Sequence, residues 1–299
     1  MSIVTYEVKS QGSGAKIRDY LKYEENLSSR FIKSAAIDKR MWVNGEKVKL
    51  NHKLECGDII KIDIEKEESQ DIHGEDLNIQ VVYEDDDLLI VNKPPFMVVH
   101  PTKSHQSGTL ANGVIYHFRK NNDNSIVRLV SRLDRDTSGL IMIAKNQFSH
   151  MNLAKSMEKN LIKKSYMAIV HGNMENAEGT IDLPIGRLAE ETIKRGVVSD
   201  GQRSITHYHT VENFKDAALL QLVLETGRTH QIRVHLSHVG KPIYGDTLYG
   251  TEDDSSLIER QALHAYGLSV PHPRTGEILE FSCEIPSDMK ELIEKLNNK

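Results

Sequence analysis

Three short stretches of this chain gather side chains able to do chemistry. The densest is SRLDRDTSG, Ser131–Gly139, where Asp134 and Asp136 lie two residues apart with Arg132 and Arg135 beside them, just ahead of the apolar run GLIMIAKN. A turn that enters a buried strand holds a carboxylate rigidly beside a cleft, so an aspartate here could act as nucleophile or base. On this segment alone, a charged surface turn with Asp–Arg pairing is the plainer reading. The second stretch is TGRTHQIRVHLSHVGKPIYGD, Thr226–Asp246. If HQIRVHLSH is helical, Arg233 lies near His230 on one face, and Arg228 sits in the preceding turn. His230, His235 and His238 do not share one helical face, and no cysteine or carboxylate pattern completes a ligand set, so no metal site is expected. The third is KKSYMAIVHG, where Tyr166 follows two lysines at a strand start; alone, it reads as half-buried packing.

Other chemistries are excluded by what the sequence lacks. No GxGxxG follows a strand and no GxxxxGK[ST] occurs, so no nucleotide cofactor is expected; GxSxG and HExxH are absent too. The 299 residues are 38% apolar and 27% charged, the composition of a soluble globular chain with room for one large domain and a small one. No apolar run reaches about eighteen residues. The opening MSIVTYEVKS lacks a signal-peptide pattern, so neither membrane nor export is indicated and a cytoplasmic address is expected. Cys56 and Cys283 have no CxxC partner and are expected to be two buried thiols.

The net charge of −5 is a sum over unlike parts. Residues 1–66 hold 13 Lys and Arg against 10 Asp and Glu, residues 67–87 hold 9 acidic residues and no basic one, and the remainder is nearly balanced at 25 against 24. The acidic stretch predicts a solvated linker over 67–77, dividing a small unit, 1–66, from a body, 78–299. Charge read without its distribution would point away from RNA; read by segment, it does not.

In the small unit, AKIRDYLKYEE and LSSRFIKSAAIDKR each carry apolar residues at helical spacing, and the SS before Arg30 suits an N-cap. MWVNGEKVKL is a hairpin signal around Asn-Gly, and LECGDIIKIDI reads as a turn entering a strand. Lys16, Arg30, Lys33, Lys39 and Arg40 gather on the helical half, where a solvated helix face is an equal reading. The body reads as strands LNIQVVYEDD, DLLIVNKPP, GLIMIAKN, SYMAIVHG, ITHYHTVENF, ALLQLVLETG and ILEFSCEI, with helices at SGTLANGVIYHFRK, FSHMNLAKSMEKN, HQIRVHLSHVG and SDMKELIEKLNN. Without regular strand–helix alternation the class is α+β with a mixed sheet, not doubly wound.

Two helices, a VNG hairpin and an LxxGDxIxI strand, over about residues 14–65, resemble the small S-four-type (α-L) RNA-binding domain. That resemblance implies a surface that grips structured RNA through phosphates and shape. The body resembles the RluA-type family of RNA pseudouridine synthases across residues 79–286, through DLLIVNKPPFMVVHP, RLDRDTSGLIMIAKN, KKSYMAIVHG, ETGRTHQIRVHLSHVGKPIYGDTLYG and LHAYGLSVPHP in the family's order. It implies the pseudouridine synthase fold, with a mixed, mainly antiparallel sheet and no cofactor. It also implies that Asp134 is the catalytic carboxylate, that Arg233 pairs with it, that Tyr166 sits against the target base, and that Arg132 helps fill the gap left by the extruded nucleotide. Arg228 and His230 are expected to contact RNA. Ser131 stands where the family commonly has histidine. The expected partner is RNA, most plausibly large-subunit ribosomal RNA, and the expected state is a monomer.

Overall fold

The computed structural model describes residues 3–64, 70–189 and 191–298. The first of these segments folds around its own sheet. Strands β1 (Ile3–Glu7), β2 (Met41–Val43), β3 (Glu46–Lys47) and β4 (Ile59–Asp63) pair in the order β1-β4-β2-β3, with helices α1 (Ile17–Tyr23) and α2 (Ser29–Ile37) packed on them. Asn44 and Gly45 take the left-handed angles (φ 51° and 88°) that a tight hairpin turn requires, and the Asn44 carboxamide fastens the turn to Asp58 at 2.7 Å and to Ile59 N–H at 2.9 Å. Ser28 caps α2 by accepting from Phe31 N–H. Strand β1 was not read from the sequence: it buries only Val4 among exposed or half-buried neighbours, and its place is set by pairing with β4.

The rest of the chain builds a ten-stranded sheet. Its elements are β5 (Gln80–Glu84), β6 (Leu88–Lys93), α3 (Leu110–Lys120), β7 (Arg128–Leu129), β8 (Ser138–Ala144), α4 (Gln147–Glu158), β9 (Lys163–His171) and β10 (Glu178–Asp182). A two-stranded ribbon, β11 (Ile185–Arg187) with β12 (Arg195–Val197), stands apart from it. Then follow β13 (Ile205–Asn213), β14 (Ala217–Leu224), α5 (Gln231–His238), β15 (Leu263–Pro271), β16 (Ile278–Ser282) and α6 (Ser287–Asn297). The strand order is β10-β13-β14-β9-β15-β8-β6-β5, with β16 on β15 and β7 on β8. Among the described strands only β15 and β8 run parallel, so the sheet is mixed and mainly antiparallel.

Strand β8 is buried along its whole length, which is why its sequence is a continuous apolar run rather than an alternation. Leu140 and Met142 face one core with Leu153 of α4; Ile141 and Ile143 face another with Leu110, Val114 and Phe118 of α3. At its start Gly139 (φ 112°) lies so close to β15 that a Cβ would sit 2.2 Å from the Ala265 carbonyl oxygen. A side chain there would force apart the two strands that carry the candidate site.

Two sequence expectations are corrected. The acidic stretch is docked rather than free along its described part: Asp71, His73 and Asp76 are exposed, but Ile72 is buried in the core beneath α3, the Asn112 amide donates to the His73 carbonyl, and Glu75 accepts from Gly108 N–H. Its few apolar residues are enough to dock it against α3; residues 67–69 of the expected linker, with 65 and 66 of the small unit, lie outside the described residues. Cys56 is exposed in the turn before β4, so only Cys283 lies among packed residues. The small unit also shares its core with the body. Phe31 meets Phe148 of α4 at 6.0 Å between ring centroids, and Lys155 Nζ donates to the Asn26 carbonyl. No described helix is long and apolar enough to cross a membrane.

Candidate active site

The turn between β7 and β8 carries Asp134, and it is held residue by residue. Lys93, at the end of β6 and fully buried, donates to the Arg135 carbonyl at 2.9 Å and to the Pro94 and Met97 carbonyls. Arg260 donates to the Asp136 carbonyl at 3.1 Å while its other nitrogens grip Asp288 at 2.6 and 2.9 Å. Gln261 donates to the Thr137 hydroxyl, and the Ser138 hydroxyl meets His264 Nδ1 at 2.9 Å. Four successive residues after Asp134 are thereby fixed by groups from β6 and from the entry to β15. Such support makes a carboxylate a positioned reagent rather than a mobile one. Burial brings the Lys93 ammonium down to about 7, against the opposing charge of Asp136.

Asp134 and Asp136 separate cleanly. Asp136 pairs with its neighbour Arg135 at 2.7 and 3.1 Å, the surface arrangement that the segment alone suggests. Asp134 instead accepts from Arg233 Nη1 at 3.0 Å, and His230 Nε2 stands 3.9 Å from the same oxygen. Arg233 projects from α5 and is buried; its Nε and Nη2 bind both oxygens of Asp246 at 2.7 and 2.8 Å. Asp246 also accepts from the N–H groups of Leu248 and Tyr249. Burial alone would raise the Asp246 carboxyl, but the Arg233 hydrogen bonds and charge outweigh it and hold the carboxyl below the ordinary aspartate range. Burial likewise works to lower Arg233, and the two carboxylates outweigh it, so the guanidinium is charged more firmly than usual. One planar fork thus bridges a buried anchor and the half-buried carboxylate of Asp134, a geometry lysine cannot reproduce.

Tyr166, on β9, is 7% exposed, and its hydroxyl is pushed up by burial first and then by the charge of Asp134. His230 precedes α5 in the left-handed conformation (φ 58°), with Nδ1 2.9 Å from the Tyr249 hydroxyl. That hydroxyl also accepts from Arg195 N–H, and the Tyr249 ring lies under the Arg233 guanidinium at 5.1 Å. His235 is consumed by Thr206 and the Leu183 carbonyl, which removes it from any metal set.

The structure therefore brings Asp134, Arg233, Tyr166 and His230 together. Arg132 and Arg228 are exposed at the margin; Arg228 Nε donates to the Arg203 carbonyl, and Arg132 has no hydrogen bond or ion pair among the described residues. Far along the chain, Lys16, Arg30, Lys33 and Lys39 are exposed on the small unit. Arg40 departs from the expectation of an RNA-facing side chain. Its guanidinium is turned inward to the Asp63 carbonyl, Ser34 and Asp38, because it closes the gap between the end of α2 and β4. Lys93, Asp246, Tyr249 and Arg260 were missed by sequence reasoning. A lysine before Pro-Pro at a strand end was a visible signal for the first; the others serve partners that no local spacing discloses.

Residues 87–238 match the family model described as RNA pseudouridylate synthase. The chain is 40% identical over 99% of its length, and 99% of the relative's, to the uncharacterized RNA pseudouridine synthase YlyB of Bacillus subtilis. It is 38% identical to the ribosomal large subunit pseudouridine synthase D of Vibrio cholerae, covering 89% of this chain and 86% of that one. Among solved structures, the human RNA pseudouridylate synthase domain containing 1 superposes with a TM-score of 0.58 at 25% identity, over 76% of this chain and 97% of that one. With a carboxylate clamped at the sheet's centre, an arginine fork behind it and a tyrosine beside it, the chain belongs to the RluA-type family of RNA pseudouridine synthases, isomerases that convert uridine to pseudouridine.

Proposed function

We propose that this enzyme isomerises specific uridines of large-subunit ribosomal RNA, in the cytoplasm and as a monomer, with Asp134 as its catalytic carboxylate. The observation that carries the reading is the pairing of Asp134 with Arg233 at 3.0 Å, on a turn whose next four residues are each tied down. The ribosomal substrate is supported by the names of relatives such as that of Vibrio cholerae. A single chain carries every side chain of the set, so a monomer suffices.

The reaction breaks the bond between ribose C1′ and uracil N1, turns the base in place, joins C1′ to C5, and moves the C5 hydrogen off as a proton while N1 gains one. Nothing is oxidised and no group is lost. The site must hold a detached uracil, keep water out and present an ionised carboxylate, as a retaining glycosidase does at an anomeric carbon. Arg233 keeps Asp134 oriented, and Tyr166 offers the base a stacking face beside it. Arg132, free of internal partners, enters the space the extruded nucleotide leaves; the unstacking costs a few kcal/mol. Lys16, Arg30, Lys33 and Lys39 of the small unit, read as a separate RNA-binding domain, add phosphate contacts.

The test is incubation of purified protein with an unmodified transcript of large-subunit ribosomal RNA, followed by pseudouridine mapping. Asp134→Ala should abolish product while RNA affinity stays within about twofold. Product formed by Asp134→Ala would overturn the assignment of the carboxylate, and a transcript left unmodified by the native protein would overturn the substrate.

A further inference from the structure

The described arginines that are buried or half-buried are Arg40, Arg128, Arg195, Arg233, Arg260 and Arg274. Five of them have acceptors: the carbonyls of Ile126 and Lys145 for Arg128, carboxylates for Arg233, Arg260 and Arg274, and Asp38 with the Asp63 carbonyl for Arg40. Arg195 is the exception among the described residues. Its side chain has no hydrogen bond or ion pair, and its Nε is buried without a partner. Arg40 Nε is also unpartnered, but the rest of that guanidinium is bound. A buried Nε–H donor left without an acceptor, on a half-buried guanidinium whose terminal nitrogens make no hydrogen bond among the described residues, is unfavourable, so the site calls for an acceptor supplied from outside.

Its location says where that acceptor belongs. Arg195 opens β12, and its N–H donates to the Tyr249 hydroxyl at 2.8 Å, the same hydroxyl that meets His230. Its charge is felt at the His230 imidazole along with those of Asp134, Arg233 and Asp246. Lys194 Nζ lies over the Tyr249 ring at 5.6 Å, and exposed Arg228, two residues before His230, donates through Nε to the backbone carbonyl of exposed Arg203 at 3.2 Å. The two carboxylates whose charge reaches His230 are already engaged: Asp246 by Arg233, and Asp134 by the same fork.

We infer that Arg195 is a phosphate-binding residue that receives the RNA backbone next to the uridine being isomerised, with Lys194, Arg203 and Arg228 continuing the cationic track. A guanidinium matches a phosphate's paired oxygens and is never deprotonated, whereas a neutral uracil carbonyl needs no fixed charge. Tyr249 gives the contact its purpose. Because one hydroxyl ties the β12 backbone to His230, a phosphate seated on Arg195 sets the ribose at a fixed distance from Asp134. The inference rests on the reading of this site as the one that isomerises RNA.

The experiment compares Arg195→Gln, Arg195→Lys and the native enzyme on the unmodified large-subunit transcript, measuring affinity against salt. Losing one phosphate contact should lower the slope of log affinity against log salt by about 0.7–0.9, with Arg195→Lys retaining most of it. A second arm uses a synthetic stem-loop around a uridine that the native enzyme modifies, with the phosphate on its 5′ or 3′ side replaced by a neutral methylphosphonate. One of these replacements should raise KM about tenfold for the native enzyme and change nothing further for Arg195→Gln. An unchanged salt slope in Arg195→Gln, or losses from the variant and both methylphosphonates that simply multiply, would overturn the inference. A raised KM with an unchanged slope would overturn it in favour of a uracil contact. A native enzyme that modifies no uridine fails the function reading instead, while the salt arm still decides on Arg195.

Discussion

Asp246→Asn separates support of the site from the chemistry itself. The Asp246 side chain is wholly buried and accepts four hydrogen bonds, two from Arg233 and one each from the N–H groups of Leu248 and Tyr249. Asparagine keeps the volume and one acceptor oxygen, which can still take the two N–H groups. Its amide nitrogen, however, turns two donor hydrogens toward a guanidinium that has only donors. Arg233, with its side chain 8% exposed, then loses the charge that offsets its burial, a change that typically costs ~3–5 kcal/mol. The fork also relaxes toward Asp134 or solvent, and a shift of about 1 Å in a reacting group costs on the order of a hundredfold in turnover. Since Asp246 lies behind Arg233, kcat should fall ~100-fold with KM for RNA nearly unchanged. Stability is read from urea unfolding followed by circular dichroism, and turnover from tritium released when RNA labelled at uracil C5 is isomerised, under conditions where the variant is folded. A variant within about 1 kcal/mol of the native protein, or one that keeps kcat within about threefold, would refute the view that the Asp246–Arg233 pair positions Asp134.

Acid should destabilise the fold through a buried histidine. His264 is 1% exposed and is pushed by burial from 6.5 down to about 4, with Ser138 and Cys283 at its two ring nitrogens. A histidine whose folded value lies below its unfolded value contributes stability that is present above pH 6.5 and lost as pH falls toward 4. The loss over that window is about 3 kcal/mol, and His264→Asn should flatten the corresponding slope of unfolding free energy; an unaltered slope would show that other groups carry it. Phe148→Ala removes the ring from α4 that Phe31 packs against, at an expected cost of ~3–5 kcal/mol. Because Trp42, the chain's one tryptophan, lies in β2, its fluorescence should report earlier unfolding of the small unit than circular dichroism reports for the whole chain. Coincident transitions shifted together would mean that the two cores unfold as one.

The sequence by itself determined the local pieces and the chemistry they hold. Asn44-Gly45 specified a turn because only such residues take left-handed angles cheaply, Ser28 specified a helix start, and the unbroken apolar run of β8 specified a strand buried on both faces. Motif order specified the family and, with it, the pairing of Asp134 with Arg233 across 99 residues, which spacing alone does not contain. The tertiary structure decided what depends on distant partners. LHAYGLSVPHP was recognised as a motif but not as strand β15, because it mixes buried and half-buried residues without clean alternation, yet its parallel pairing with β8 brings Arg260, Gln261 and His264 to the aspartate turn. The choice between Asp134 and Asp136 was invisible within SRLDRDTSG, since both carboxylates sit beside arginines; it was made by which one the α5 fork reaches. Arg40 and Arg195 divide in the same way: both are basic residues in basic neighbourhoods, but one meets acceptors within the fold and the other does not. Residue type fixes what a group can donate or accept, and only the fold fixes whether its partner is already present.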